Sequence, residues 1–243
     1  MTELRALIPA AGTGSRAGLP YPKTLHPVEG VPILLRQLDL LRLFDPCPVV
    51  VASPAGRVPI AETLGAAGAR AELVEQASPT GMGDAILCLD ASIAGRNAEH
   101  VVAVWGDIPL LDPRTIAGTV ERHLAAGNDF TFPTRHVEAA YTVVTRDAAG
   151  RVTALAETRE AGVEPGPGER DIGVFVFRRA PVFDLLRRRL PGALGTTTGE
   201  HGFLYIVRHL AEHGHRVEAL PIATERDLIS LNRLSDLDGV GGV

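Results

Sequence analysis

The sequence of 243 residues has little of several features, and each shortage excludes a class of protein. It has only two cysteines, Cys47 and Cys88, which are too few for a disulfide framework. No apolar run approaches the ~20 residues that span a bilayer, and the opening residues lack the pattern of a signal peptide. The net charge of −5 argues against a general nucleic-acid-binding surface. We therefore expect a cytoplasmic protein with no membrane and no nucleic-acid partner.

Lysine is the scarcest charged residue. Lys23 is the only lysine, and the other 23 basic residues are arginine. In such a background, a position that tolerates either cation would usually hold arginine. Lys23 therefore indicates a specific need for a compact ammonium group. The alternative is a chance lysine at a surface turn.

The remaining composition is ordinary for a globular protein, with 45% hydrophobic and 22% charged residues. Short apolar runs, expected to be strands, alternate with segments of helical spacing. The expected strands are 5–10, 48–52, 71–75, 100–105, 130–134, 141–146, 152–158 and 217–221. The expected helices are 31–43, 59–67, 81–89, 113–126, 181–190 and 203–213. This alternation predicts an α/β fold with three layers and a Rossmann-like, mostly parallel sheet. The segment 161–168, rich in glycine and proline, is expected to be a loop.

A candidate phosphate-binding loop follows the first strand. Residues 7–16 read LIPAAGTGSR, and Pro22 and Lys23 close the segment. Glycines let backbone N–H groups approach a phosphate chain, and an arginine fork or a lysine can bind its oxygens. The loop lacks the Gly-Lys-Ser/Thr of a Walker A motif and the third glycine of a dinucleotide fingerprint. The nucleotide-binding residues predicted here are Ala10, Ala11, Gly12, Thr13 and Gly14.

This segment resembles the signature of nucleotidyltransferases that make nucleoside-diphosphate sugars, Ala-Ala-Gly-x-Gly-Ser/Thr-Arg followed by Pro-Lys. The likeness is greatest to the uridylyltransferase domains of bifunctional N-acetylglucosamine-1-phosphate uridyltransferases. The resemblance implies catalytic roles for Arg16, on the outgoing phosphates, and for Lys23, on the α-phosphate. It extends over almost the whole chain, but the hexapeptide repeats of the β-helix domain are absent. We therefore expect one nucleotidyltransferase domain over residues 1–243.

The resemblance implies that the segment after the third strand binds the nucleobase, through Gln76, Gly81 and Met82. A glutamine amide offers a donor and an acceptor together, which suits the imide edge of uracil. Met82 and Asp84 depart from the Gly-Thr-Gly-His-Ala pattern of the family, so the identity of the base stays open. The alternative is a surface glutamine in a strand–turn–helix connection.

Asp107 follows the most apolar run, in a Gly-Asp-x-Pro-Leu segment that matches the metal-holding segment of the family. Open α/β sheets bind ligands at this end of their strands, and Mg²⁺ needs only one or two protein carboxylates. The resemblance makes Asn232 the second Mg²⁺ ligand, with Asp227 and Asp238 as fallbacks. The alternative for Asp107 and Asn232 is helix capping, although Asp112 is better placed to cap the helix that begins at 113.

Two carboxylates are predicted to bind the acceptor molecule. Glu157 matches an acidic residue that binds the sugar in the family, and Asp171 stands where the family has a sugar-contacting asparagine. The pair Tyr141 and Thr142 also departs from the expected Tyr-Gly. An exposed charge at a strand end is the alternative for Glu157. The departures at Asp171 and Thr142 fall in the acceptor half of the site.

The sequence thus predicts a Mg²⁺-dependent nucleotidyltransferase. It would join an NTP, with UTP expected first, to a phosphorylated small molecule, with a sugar 1-phosphate expected first, and release pyrophosphate. The acceptor phosphate is already an anionic nucleophile, so catalysis would depend on positioning and charge neutralisation. One alternative is a cytidylyl- or other nucleotidyltransferase for a non-sugar phosphate or phosphonate. The other is a catalytically silent nucleotide-binding regulatory protein.

Overall fold

The computed structural model of the protein describes residues 3–12 and 18–237. The strands in this part of the chain are β1 (Leu4–Ala10), β2 (Pro27–Val28), β3 (Val31–Pro32), β4 (Val49–Ala52), β5 (Glu72–Glu75), β6 (His100–Val104), β7 (Phe130–Ala140), β8 (Thr142–Arg146), β9 (Val152–Glu157), β10 (Gly166–Asp171), β11 (Val174–Arg178) and β12 (Val217–Leu220). The α-helices are α1 (Ile33–Leu41), α2 (Pro54–Ala67), α3 (Met82–Leu87), α4 (Ile93–Arg96), α5 (Pro113–Ala126), α6 (Thr158–Ala161), α7 (Arg179–Arg188) and α8 (Ile206–Glu212). None of the described helices is long and apolar enough to cross a membrane.

The main sheet has eight strands. Seven follow the order β10-β7-β11-β6-β1-β4-β5, and β12 pairs with β7. Strands β6, β1, β4 and β5 are parallel, whereas β11 is antiparallel to β6. A smaller antiparallel sheet is formed by β8 and β9. The predicted α/β fold with a mostly parallel sheet is therefore confirmed.

Alternate residues of the central strands pack into two hydrophobic clusters on opposite faces of the sheet. In β1, Leu7 contributes to the first cluster and Ile8 to the second. Helices α3, α7 and α8 cover the first face, which also holds the phenylalanines of β7 and β11, and helices α1, α2 and α5 cover the second. Burying a side chain of this size contributes about 1.5–3 kcal/mol. This burial on both faces makes the three predicted layers.

Helix α5 spans the residues that the sequence predicts. The Asp112 carboxylate accepts a hydrogen bond from Arg114 N at 2.8 Å and caps its start, and Gly127, with φ 61°, ends it. The expected start of α2 at 59 is wrong. Its helix begins at Pro54 because the Ser53 side chain accepts a hydrogen bond from Gly56 N at 3.1 Å and caps it.

The expectation of a loop over 161–168 is also wrong, because the fourth residue of α6 and the first half of β10 lie within it. The polar strand β10 is held by its pairing with β7, in which Asp171 lies opposite Thr134. Glu169 is buried in this pairing. The hydrogen bonds that it accepts from Thr134 Oγ1 at 2.6 Å and Arg146 Nη2 at 2.8 Å offset the loss of water around its carboxylate. Tertiary partners, rather than local propensity, form this strand.

Candidate active site

The carboxyl ends of β1, β5 and β6 border a cleft of about 780 Å³. Every predicted site residue that the structure describes lines this cleft: Ala10, Ala11, Gly12, Lys23, Gln76, Gly81, Met82, Asp107, Glu157, Asp171 and Asn232. Thr13, Gly14 and Arg16 lie outside the described residues. Segments far apart in the sequence therefore meet in one place, while the role of each residue stays a prediction.

An ion pair between the Lys23 ammonium and Asp107 Oδ2 lies in the cleft. Lys23 begins a single 3₁₀ turn, and Asp107 lies three residues beyond β6. Their side chains are 25% and 16% exposed, so both groups can be reached by a ligand. An ion pair in contact with solvent is weak, which allows its members to change partners when phosphates enter.

Gly106 allows the Asp107 loop, residues 105–111, to lie against the end of β1. A Cβ atom on Gly106 would lie 2.8 Å from the carbonyl oxygen of Pro9, at the end of β1, and no real Cβ tolerates such a contact. The amide of Gly106 also donates to that oxygen at 3.3 Å. The absence of a side chain therefore brings the Asp107 carboxylate beside the residues predicted to bind phosphate.

The side-chain oxygen atoms of Asp107 and Asn232 are of the kind that bind a hard divalent cation. The Leu231 amide donates to the carbonyl oxygen of Asp107 at 2.8 Å, which brings Asn232 to the same end of the cleft. Asn232 Nδ2 donates to Ser230 Oγ at 2.9 Å, and this bond leaves the amide oxygen for a ligand. Carboxylate and amide oxygens, completed by phosphates and water, are what Mg²⁺ prefers. In the described residues there is no group of three or more histidine, cysteine or acidic side chains that could hold a metal ion.

Asp227 is poorly suited to its fallback role as a ligand. It is 1% exposed. One of its oxygens accepts from Asp112 N at 2.6 Å, and the other accepts from Thr115 Oγ1 at 2.8 Å and Thr224 N at 2.7 Å. These bonds tie the 224–227 turn to the start of α5. The other fallback, Asp238, lies outside the described residues.

Gln76 directly follows β5 and is 5% exposed. Its Nε2 donates to the carbonyl oxygen of Gly81 at 3.1 Å, so the amide oxygen and one amide proton remain for a base. Gly81 has φ 117°, and a Cβ atom there would lie 2.6 Å from the amide nitrogen of His201. The His201 amide also donates to Thr80 O at 2.8 Å. The loop predicted to bind the base, residues 76–82 (the base loop), is thus packed against the segment 199–203.

Asp84, a departure from the family pattern, is the centre of a charged cluster that sequence reasoning missed. It contacts His201 Nδ1 at 2.8 Å and Arg189 Nη2 at 2.9 Å. Burial alone would raise the pKa of Asp84, but hydrogen bonds from His201 and Thr80, with the charges of His201 and Arg189, lower it below its ordinary value. The cluster keeps Asp84 ionised and joins three separate segments beside the cleft.

Glu157 and Asp171 line the part of the cleft that is predicted to bind the acceptor, which we call the acceptor end. Asp171 is 3% exposed and both of its oxygens have partners. Oδ1 accepts from Thr142 Oγ1 at 2.6 Å, and Oδ2 accepts from Gly173 N at 2.7 Å. Glu157 lies opposite Thr142 in the β8–β9 pairing. Burial raises the pKa of this half-buried carboxyl group; Arg159 opposes the rise, while the charges of Glu160 and Asp171 add to it. The acceptor end therefore holds carboxylates close to one another.

Arg170 and Tyr141 also line the cleft, and no sequence pattern predicts that they interact. The guanidinium of Arg170 lies 3.8 Å from the centre of the Tyr141 ring and donates to the Tyr141 hydroxyl group. Arg170 Nε donates to the carbonyl oxygen of Asp171 at 3.1 Å. Burial and the charge of Asp171 raise the pKa of Tyr141 to about 12, against the opposing charge of Arg170. Tyr141 is therefore a neutral hydroxyl group at physiological pH.

Comparison with protein families gives a match to the MobA-like NTP transferase domain over residues 6–215. The chain is 32% identical over 229 residues to the bifunctional protein GlmU of Leifsonia xyli subsp. xyli, covering 91% of this chain and 46% of that protein. It is 32% identical over 231 residues to the GlmU protein of Streptomyces avermitilis, covering 92% of this chain and 46% of that protein. The chain thus spans about half the length of the curated relatives it matches.

Solved structures share the fold. A putative glucose-1-phosphate thymidylyltransferase from Bacillus anthracis superposes with a TM-score of 0.75 at 18% identity, covering 98% of this chain and 93% of the other. HddC from Yersinia pseudotuberculosis superposes with a TM-score of 0.71 at 17% identity, covering 98% of both chains.

Proposed function

Since the chain belongs to the MobA-like NTP transferase domain family, we propose that it transfers a nucleotidyl group from an NTP to a phosphorylated small molecule and releases pyrophosphate. UTP and a sugar 1-phosphate are the expected substrates. The observation that carries the proposal is the Lys23–Asp107 ion pair, which lies in the same cleft as residues 10–12, Gln76 and the carboxylates of the acceptor end.

The nucleotide would lie along the end of β1, with its base against Gln76 and Gly81. Lys23 would leave Asp107 and bind the α-phosphate, where its positive charge would reduce the repulsion between this phosphate and the attacking anion. Arg16 is predicted to bind that pyrophosphate. Exchange of Lys23 from one anion to another requires no loss of its charge, which suits a residue that acts through electrostatics alone.

Asp107 and Asn232 are the residues that would hold Mg²⁺, through one carboxylate oxygen and one amide oxygen. The metal, when bound, would neutralise phosphate charge and orient the phosphates. Two hydrogen bonds support this assignment: the bond from Leu231 N to Asp107 O brings the segment of Asn232 to Asp107, and the bond from Asn232 Nδ2 to Ser230 Oγ leaves the amide oxygen of Asn232 for a ligand.

The acceptor would present its phosphate to the α-phosphate from the side of Glu157 and Asp171. The Glu157 carboxylate can accept hydrogen bonds from hydroxyl groups and so hold the acceptor in line for attack. Asp171 would line the same end of the cleft while its oxygens stay bonded to Thr142 and Gly173. The attacking oxygen belongs to a phosphate that is already ionised, so no residue has to remove a proton from it.

A second candidate is transfer to a non-sugar phosphate or phosphonate, by way of CTP or another NTP. The occupied oxygens of Asp171 and the Arg170–Tyr141 contact favour keeping it, because both change what the acceptor end offers a ligand. The presence of both Lys23 and Asp107 counts against a catalytically silent nucleotide-binding regulatory protein.

The test is pyrophosphate release with Mg²⁺, each of the four NTPs and a panel of sugar 1-phosphates and non-sugar phosphates. We expect release with UTP and a hexose or hexosamine 1-phosphate, and loss of release in a folded Asp107→Asn variant. Release only with another base or acceptor would move the substrate to the second candidate. No release with any pair, from folded protein that binds nucleotide, would favour the regulatory protein.

A further inference from the structure

Gln37 is a polar residue on the apolar face of helix α1. Leu34, Leu38 and Leu41 on the same face are buried in the second hydrophobic cluster, and Gln37 itself is only 1% exposed. An amide at such a position loses its contact with water and must find its partners within the protein. The partners of Gln37 therefore show what the residue does.

Both partners of Gln37 belong to the Asp107 loop. Its Nε2 donates to the carbonyl oxygen of Trp105 at 2.8 Å and to that of Ile108 at 2.9 Å. These two carbonyls flank Gly106 and Asp107. Since both partners are acceptors, only the nitrogen of the amide can face them, so the orientation of the group is fixed.

The other end of the same amide has no partner. Gln37 Oε1 is buried and accepts no hydrogen bond from the described part of the chain. A methionine would occupy similar space without burying an oxygen that lacks a donor. The chain keeps glutamine at this position even though its oxygen is unfavourable there, which indicates that its two N–H groups are needed.

We propose that Gln37 is a positioning residue that holds the Asp107 loop in the geometry required for nucleotidyl transfer. Gln37 fixes the loop from the helix layer, Gly106 lies against β1, and the Leu231 amide binds Asp107 O from the far end of the chain. With these contacts the carboxylate of Asp107 is held against the Lys23 ammonium group, in the cleft that Asn232 also lines. The inference rests on the proposed function, because it assigns Asp107 a role in that reaction.

The first measurement does not depend on activity. Trp105 is the only tryptophan of the chain, and it lines the cleft within the loop that Gln37 holds. Quenching of its fluorescence by acrylamide therefore reports the mobility of this loop. We expect Gln37→Met to raise the quenching constant at least twofold in protein that remains folded by circular dichroism.

A matched control is Thr119→Val. Thr119 is also fully buried, and its Oγ1 donates to Thr115 O at 2.7 Å, but it does not line the cleft. It should lower the melting temperature without changing the quenching of Trp105. Gln37→Leu is the second variant. It also lacks both N–H groups, so its quenching should match that of Gln37→Met.

The kinetic measurement separates positioning from a purely structural role. For Gln37→Met we expect kcat to fall by about 10- to 100-fold, the size of effect that a misplaced catalytic group produces. The acceptor KM should stay within about twofold, while the Mg²⁺ concentration for half-maximal rate rises. Unchanged quenching, or unchanged kcat per folded molecule, would overturn the proposal. If wild-type protein releases no pyrophosphate with any substrate, the proposed function fails, and the quenching series alone decides whether Gln37 orders the loop.

Discussion

Single side chains decide the chemistry of the cleft, and the role proposed for Lys23 can be tested by one substitution. Lys23→Arg keeps the positive charge but replaces a point charge by a planar fork. The fork would bind the Asp107 carboxylate through two hydrogen bonds and would not reach the α-phosphate in the same geometry. We expect kcat for pyrophosphate release to fall by about 100-fold or more.

The control for Lys23→Arg is Arg151→Lys, the reverse exchange at an exposed position of the β8–β9 hairpin, where the side chain pairs with Asp147. Its kcat should match that of wild type. If Lys23→Arg also keeps the wild-type rate, the role assigned to Lys23 is wrong, and the single lysine is a chance feature of the sequence.

Tyr141→Phe tests the acceptor end at the same scale. The variant keeps the ring beneath Arg170 but removes the hydroxyl group to which the guanidinium donates. The loss of one hydrogen bond to a charged group costs about 1.5–3 kcal/mol in total. We expect part of this cost to be expressed as an acceptor KM raised several-fold, with the KM for the NTP unchanged. An equal rise in both KM values would show that Tyr141 does not act at the acceptor end.

Residues whose role depends on a nearby motif could be predicted from the sequence, and residues whose partners are distant could not. Lys23, Gln76 and Asp107 each follow or close a recognisable segment. Gln37 and His201 do not: their partners Trp105 and Asp84 are 68 and 117 residues away. No local pattern encodes such a contact, so the structure was needed to find it.

Helices and strands, like single residues, could be predicted where local sequence marks them and not where they depend on distant partners. Helix α5 was predicted with its bounds because a capping aspartate, a proline and a glycine mark its ends locally. Strand β10 was missed because it has a polar sequence, and its place in the sheet depends on pairing with β7. The strand carries Arg170 and Asp171 to the acceptor end. Asp171 was predicted from the family resemblance, but Arg170 was not.

The contact between the base loop and the segment 199–203 can be tested by Gly81→Ala. The added Cβ would meet the backbone of His201, and the residue would have to keep φ 117°. A strained backbone of this kind costs about 1–3 kcal/mol. We expect lower stability in urea denaturation and a higher KM for the NTP, because the base loop must move away from His201.

Gly65→Ala is the matched control for Gly81→Ala. Gly65 lies in α2, and its Cβ would have open space around it. Alanine in a helix is more favourable than glycine by about 0.5–1 kcal/mol, so this variant should be more stable than wild type and bind the NTP equally well. A Gly81→Ala variant that behaves like Gly65→Ala would show that the 199–203 segment does not restrain the base loop.

For the whole molecule, the buried pair of His100 and His123 is expected to limit stability in acid. His100 Nδ1 and His123 Nε2 are 2.8 Å apart. Burial and the charge of His100 lower the pKa of His123 from 6.5 to about 4, and burial also lowers the pKa of His100. Between pH 6.5 and 4 the unfolded chain therefore binds more protons than the folded one, so the free energy of unfolding falls as the pH falls. His123 alone would contribute about 3 kcal/mol to this loss.

The contribution of this pair can be separated from that of the carboxyl groups with lowered pKa values by the pH range in which stability is lost and by substitution of His123. Carboxyl groups with lowered pKa values, such as Glu169 and Glu218, have an ordinary pKa of 4.5, and the stability they contribute is lost only below that pH. Urea denaturation at several pH values should show a shallower slope between pH 6.5 and 4.5 for His123→Gln than for wild type. The exposed His136, changed to glutamine, should leave the wild-type slope unchanged. Equal slopes for wild type and His123→Gln would mean that His123 takes up a proton without unfolding the protein.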